Sequence, residues 1–241
     1  MKVSRTAFLA GLGGLLIGGS VVLLAGPSLT GGVSGGERAR VEAIVREYIL
    51  EHPEIIPEAV QRLQDREAAA VVDQNRTAIE TPFGSAWAGA ENGDVVLVEF
   101  FDYACGFCRK SNEDIDRLLA EDKNLKVVWR ELPVLGQDSV AAAQASLVAA
   151  AQGKFRPFYQ KLFEAGRPTP VAVASVQNSL GIVSPAARAP EHRAEIQKNY
   201  QLADALKGTG TPLFVVGDKV LHGAVGYEAL KTAIAEARKR S

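Results

Sequence analysis

The stretch Val95-Val96-Leu97-Val98-Glu99-Phe100-Phe101-Asp102-Tyr103-Ala104-Cys105-Gly106-Phe107-Cys108-Arg109-Lys110 decides how this chain reads. Val95 to Phe101 is an apolar run rich in β-branched and aromatic residues, set behind the turn Asn92-Gly93-Asp94, and predicts a buried strand. Beyond Cys108, Ser111, Ile115, Leu118 and Leu119 recur at helical spacing, so Cys105 to Asp122 is a strand-to-helix junction with Cys105 in the first turn. A thiol there ionises readily, because the free N–H groups and positive dipole end of a helix stabilise the thiolate, the form that attacks a disulfide. Cys108 follows on the same helical face, close enough to form a Cys105–Cys108 disulfide.

These are the 2 cysteines of the 241-residue chain. A structural disulfide across two intervening residues would remove little loop-closure entropy, so stapling is a poor explanation of the pair. Half of a zinc site would need two more ligands, and His52, His192 and His222 are not in ligand-type spacing; no metal site is expected. A C-x-x-C motif in a βα context points to redox chemistry carried by the thiols themselves, with no cofactor.

The string Val-Glu-Phe-Phe-Asp-Tyr-Ala-Cys-Gly-Phe-Cys resembles the active site of thioredoxin-fold, DsbA-like periplasmic thiol-disulfide oxidoreductases. Glu-Leu-Pro-Val-Leu-Gly at 131–136 and Gly-Thr-Pro-Leu-Phe-Val-Val-Gly at 210–217 are similar to that family's second core strand and Thr-cis-Pro loop. Residues 41–70, with Tyr48-Ile49-Leu50-Glu51-His52-Pro53-Glu54, resemble the N-terminal domain of the ScsC (copper-sensitivity suppressor) branch. The resemblance implies an α/β thioredoxin fold with a helical insertion, preceded by a small all-α segment. It also implies protein substrates with cysteines and a membrane electron donor of DsbD/ScsB type.

Site roles follow from position and from the resemblance together. Cys105, at the exposed helix end, is expected to be the nucleophile, and Cys108, one turn inside, the resolving thiol. Glu99 is a lone charge in an apolar strand, where a carboxyl is costly unless protonated or partnered. In the resembling families an acid at this position serves proton transfer. Pro212, directly before a strand, is awkward in a sheet ladder because it cannot donate, and a cis Thr211–Pro212 bond in a tight loop resolves this. In those families the loop faces the nucleophile and pairs with substrate, so Thr211 and Pro212, with Gly106 and Phe107, are expected to contact substrate. Asp102 and Tyr103 are expected to be surface or loop packing around the site. Phe107 supplies no charge to a thiolate, which predicts a Cys105 pKa less depressed than in the strongest oxidants and favours an isomerase or reductase.

The rest of the chain divides by composition. Lys2 and Arg5 precede Ala7 to Ala25, an uncharged stretch that as a helix would span about 28 Å. It reads as an export signal, either retained as an inner-membrane anchor or cleaved, ahead of a flexible linker, which together occupy 1–36. Residues 37–80 are expected to form an N-terminal helical domain. Val41, Ile44, Val45, Tyr48 and Ile49 make one apolar stripe; Ala59, Val60, Leu63, Ala70 and Val71 make a second in a helix opened by Pro57 and running to Thr77. These stripes must pack on the catalytic domain or on copies of themselves, and a narrow stripe suits a seam between chains of a homo-oligomer.

Residues 81–241 form the expected catalytic domain, with a helical insertion over 139–206. Within it Ser139 is expected to cap a helix to Ala151, Thr169-Pro170 to start another, and Pro190 a third running to Leu206. Gly217-Asp218 marks a two-residue hairpin turn. Composition is ordinary for a globular protein, 47% hydrophobic and 7% aromatic, and a formal net charge of −1 argues against a nucleic-acid partner. Three functions from different classes follow: an exported disulfide isomerase or reductase, a DsbA-type dithiol oxidase, and a periplasmic copper(I)-binding protein whose paired soft thiolates hold the metal.

Overall fold

The computed structural model describes residues 35–183 and 189–240. Residues 7–25, the expected anchor, lie outside the described residues; among those described, no helix is long and apolar enough to cross a membrane. Packing divides the chain after Ile55. The first unit contains helix α1 (Gly35–Glu51), which buries none of its side chains and leaves Val41, Ile44, Val45 and Tyr48 exposed.

The second unit starts at Ile56, well before the composition change at Thr81, and is built on a five-stranded sheet. Its strands are β1 (Trp87–Gly89), β2 (Val95–Phe101), β3 (Leu125–Glu131), β4 (Leu213–Val216) and β5 (Lys219–His222), in the order β1-β3-β2-β4-β5. Only the β2–β3 pair is parallel, and the crossover between them is α3 (Gly106–Glu121), the helix that starts at the cysteines. This is a thioredoxin-like fold with a helical insertion, here α4 (Gln137–Ala151), α5 (Phe155–Glu164), α6 (Pro170–Ser179) and α7 (Ala189–Ala205), and it closes with α8 (Tyr227–Arg238).

Strand β2 is apolar almost throughout because both faces of the sheet are covered. Leu97, Glu99 and Phe101 point into a core with α3, α4, α5 and α8, whereas Val98 and Phe100 point into a second core with α2 (Ile55–Glu80) and α7. Two residues of α2, Val72 and Ile79, are fully buried on that second face; two turns apart, they lie on one side of the helix. Burying each contributes about 1.5–3 kcal/mol. Of the expected stripe of α2, Val71 packs against this second core beside Val72 and Ile79, whereas Val60 and Leu63, in the first half, are exposed. The reason is that only the second half lies on the sheet. Pro57 sits in the first turn as expected, and the helix continues past Thr77 to Glu80.

The end of α2 is held by Arg130 of β3. Its buried guanidinium donates to the carbonyls of Ala78, Ile79 (2.7 Å) and Thr81 (2.7 Å), and to Glu195 (2.9 Å) and Asn199 (2.7 Å) of α7. A cation at a helix C-terminus opposes the dipole while occupying carbonyls the helix leaves free. Elsewhere the turn chemistry is local. Thr169 caps α6 by accepting from the Ala172 N–H, with Pro170 behind it. Gly217 takes a positive φ of 56° in the β4–β5 turn, where a Cβ would come within 2.9 Å of Ala237. Ser139 is not the cap of α4. It lies inside that helix, and its hydroxyl goes to the active-site segment instead.

Candidate active site

The end of β2 delivers Asp102, Tyr103, Ala104 and Cys105 into a tight turn in which the Cys105 N–H donates to the Asp102 carbonyl at 3.0 Å. Cys105 then becomes the N-cap of α3, with extended backbone (φ −80°, ψ 116°) and its sulfur accepting from the Cys108 N–H at 3.5 Å. This is the geometry that stabilises an anion at a helix start. Both cysteines are free thiols. The Thr211–Pro212 bond is cis, and the Thr211 carbonyl lies 3.3 Å from Cys105 Sγ. Cys105 is therefore less open than its expected place at an exposed helix end implied, at 6% exposed, because this loop covers it. Gly106 has open space where a Cβ would project, and Phe107 is 67% exposed. The four expected substrate-contacting residues thus surround the nucleophile or abut it.

The two thiols are pushed in opposite directions. The Cys108 thiol, hydrogen-bonded to Cys105 sulfur, lowers the Cys105 pKa most; burial opposes this, and Thr211 and the N–H groups of Cys108 and Phe107 lower it further, to about 5. That lies between the values of about 7 and about 3.5 typical of thioredoxin and of the strongly oxidising DsbA. At neutral pH the thiolate of Cys105 outnumbers its thiol by about a hundred to one. Cys108 is fully buried, and desolvation drives its pKa up, with the Cys105 sulfur and Glu99 adding to the rise. One sulfur is ready to attack and the other holds its proton.

Glu99, on the β2 face below the cysteines, is fully buried. Desolvation raises its pKa to about 8, against the opposing hydrogen bond from Tyr159 and the nearby Trp129 indole. The Tyr159 hydroxyl lies 3.2 Å from Glu99 Oε2 and 2.5 Å from Asn112 Oδ1 at the half-buried edge of α3. Glu99 Oε1 and Trp129 Nε1 are buried and make no hydrogen bond of regular geometry. A carboxyl in this setting is neutral at pH 7 and close to the pH at which it gives or takes a proton.

Three features of the site escaped the sequence. Asp102 and Tyr103, expected as surface or loop packing, are both buried. Asp102 accepts from the Ala104 N–H (2.8 Å), the Leu135 N–H (2.9 Å) and the Ser139 hydroxyl (2.7 Å), which is why a carboxylate tolerates that position. Tyr103 packs edge-on against Phe101 at 5.0 Å and hydrogen-bonds Ser146 at 2.8 Å. Glu131, on the strand beside Glu99, is a second buried acid; burial raises its pKa well above the usual range, and its Oε1 has no partner. Arg130 and Glu131 are an adjacent charged pair at the end of β3, so the lone-charge argument that found Glu99 does not single them out. Among the described residues, no group of three or more His, Cys, Asp or Glu side chains is arranged to hold a metal ion.

The family model of the DSBA-like thioredoxin domain matches residues 96–235. The chain belongs to that family of thiol-disulfide oxidoreductases. A second model, the N-terminal domain of the copper resistance protein ScsC, matches residues 37–70. A thioredoxin-like oxidoreductase from Silicibacter pomeroyi is 34% identical, with 69% of this chain and 99% of that one aligned and a TM-score of 0.63. A linker-deletion variant of Proteus mirabilis ScsC shares the fold at 24% identity, with 88% and 100% of the chains covered and a TM-score of 0.68. Among curated proteins, the Na(+)/H(+) antiporter NhaA 1 of Salinispora arenicola is 28% identical over 158 residues, 62% of this chain. The chain spans about a quarter of that relative's length, 24%.

Proposed function

We propose that the protein is an exported, periplasmic protein-disulfide isomerase or reductase that works through a Cys105–Cys108 dithiol. The thiol chemistry rests on the pairing of an N-cap thiol of pKa about 5 with a buried, protonated thiol above a buried acid, and the isomerase direction on the match of 37–70 to the ScsC N-terminal domain with its exposed apolar residues. The Cys105 thiolate attacks a substrate disulfide, forming a mixed disulfide and releasing one substrate thiolate, which takes a proton from water. In the isomerase direction another substrate thiolate then displaces Cys105. In the reductase direction the minor ionised fraction of Glu99, about a tenth at pH 7, takes the Cys108 proton, and Cys108 attacks Cys105 sulfur. The Cys105–Cys108 disulfide forms, the second substrate thiolate leaves, and two electrons have passed to the substrate. Thr211, Pro212, Gly106 and Phe107 line the approach of the substrate chain. Reduced protein is regenerated by a membrane thiol-disulfide donor of DsbD/ScsB type, and residues 7–25 either anchor the chain or are removed.

Residues 37–80 make the protein a homo-oligomer in this reading. The exposed stripe of α1 and the exposed first half of α2 support it, as does the match of 37–70 to the ScsC N-terminal domain. Several thiolates around one misfolded chain raise the local concentration that isomerisation needs.

The test sets refolding of a scrambled-disulfide protein beside oxidation of a reduced one, with light scattering on the chain from Glu37. Oligomers that refold the scrambled protein bear the reading out; monomers that only oxidise overturn it. Cys108→Ser should accumulate mixed disulfides with substrate and Cys105→Ser should not. Equal trapping would overturn the assignment of roles. One observation favours a dithiol oxidase instead: a thiol pKa of about 5 stabilises the reduced form, which makes the disulfide more oxidising. Copper(I) binding by the two sulfurs is tested in the same material by titration, competed against thiol alkylation.

A further inference from the structure

Asp102 lies three residues before the nucleophile, and its carboxylate touches two loops. It accepts from the Ala104 N–H in the cysteine turn, and from the Leu135 N–H and Ser139 hydroxyl across the β3–α4 connection. That connection is also fixed elsewhere: the Leu132 N–H donates to the Phe101 carbonyl at 2.8 Å, and the Tyr200 hydroxyl of α7 donates to the Pro133 carbonyl at 2.6 Å. Its backbone is therefore held on both sides, yet its tip is apolar and faces solvent, with Val134 46% and Leu135 54% exposed. A connector needs neither property. An exposed loop is normally polar, and burying a carboxylate to hold one in place is costly unless the held geometry is used.

We propose that Asp102 is a positioning residue of the reaction: it fastens Val134 and Leu135 beside the Cys105 turn, so that they seat an extended apolar segment of the polypeptide carrying the substrate disulfide. Three features of the site select that occupant. Cys105 is only 6% exposed, so a substrate reaches it only by lying against its surroundings. Those surroundings include a third exposed apolar side chain, Phe107, two residues from Cys105. A misfolded chain offers apolar segments next to its cysteines, and a backbone already immobilised loses little entropy on binding one. The inference rests on the reading that protein disulfides are the substrates.

The experiment measures KM and kcat for reduction of insulin, and the second-order rate with oxidised glutathione, for the full chain and for Asp102→Asn, Leu135→Ser and Leu135→Met. The amide of Asp102→Asn has one acceptor oxygen, so it cannot accept from the Leu135 N–H and from the Ala104 and Ser139 donors at the same time. Asp102→Asn and Leu135→Ser should each raise the insulin KM about tenfold, far more than they change kcat or the glutathione rate, while Leu135→Met, which keeps the apolar surface, should hold KM close to its original value. Equal losses on both substrates would place Asp102 in the thiol chemistry or the fold and overturn the inference, as would an insulin KM that no variant moves. An unmutated protein that reduces glutathione but not insulin would overturn the protein-substrate reading, and this inference with it.

Discussion

The two faces of the central sheet bury charge in opposite ways. On the α2 and α7 side, Arg130 is surrounded by acceptors: three main-chain carbonyls, a carboxylate and a side-chain amide. On the α3 and α5 side, Glu99 and Glu131 each keep a buried oxygen with no partner. A buried charge whose hydrogen bonds are complete rigidifies; one left incomplete shifts its pKa and stays available for proton exchange. Strand β3 carries both kinds in neighbouring positions, because side chains alternate across a strand. Satisfaction, more than burial, separates the group that holds the fold from the groups that handle protons.

Substitutions break or sharpen this contrast. Arg130→Leu should destabilise by about 3–5 kcal/mol in denaturant unfolding, because it strands Glu195, Asn199 and the end of α2 together. It should leave the Cys105 pKa where it was; a shifted thiol pKa would mean the two faces are not independent. Glu99→Gln should act in the other direction. The folded-state pKa of Glu99 is about 8, above the ordinary 4.5, so between those values the folded protein holds a proton that the unfolded chain has released. Stability then falls as pH rises through that window, and below it both states are protonated and the penalty is gone. The variant should therefore gain about 4 kcal/mol at pH 8 and almost nothing at pH 4, while its mixed disulfides resolve more slowly. A gain independent of pH would show that Glu99 does not titrate there. Glu131→Gln should give the same sign, stabilising more as pH rises, with no change in the resolution rate.

How far these differences could be read beforehand depends on the range of the interactions involved. The strand, the N-terminal position of Cys105 and the hairpin at Gly217 follow from local rules, the cis Thr211–Pro212 bond from the family resemblance, and each is present. Glu99 was legible because a lone charge in an apolar run is conspicuous within its own strand. Asp102 was not, since its partners Leu135 and Ser139 come from a distant segment. Tyr159 looked like one more apolar residue of α5, and only the packed core reveals that its hydroxyl meets Glu99. Which half of α2 packs on the sheet was not legible for a related reason: it is decided by the sheet the helix meets, and Arg130, far along the chain, holds the half that does.

The account depends most on the asymmetry between the two thiols. Ultraviolet thiolate absorbance of the fully reduced, unmutated protein, followed as pH is raised, measures it directly. The geometry at the start of α3 predicts one thiolate appearing with a midpoint near pH 5 and no second one below pH 9. A single midpoint above pH 8, or two thiolates ionising together, would contradict it.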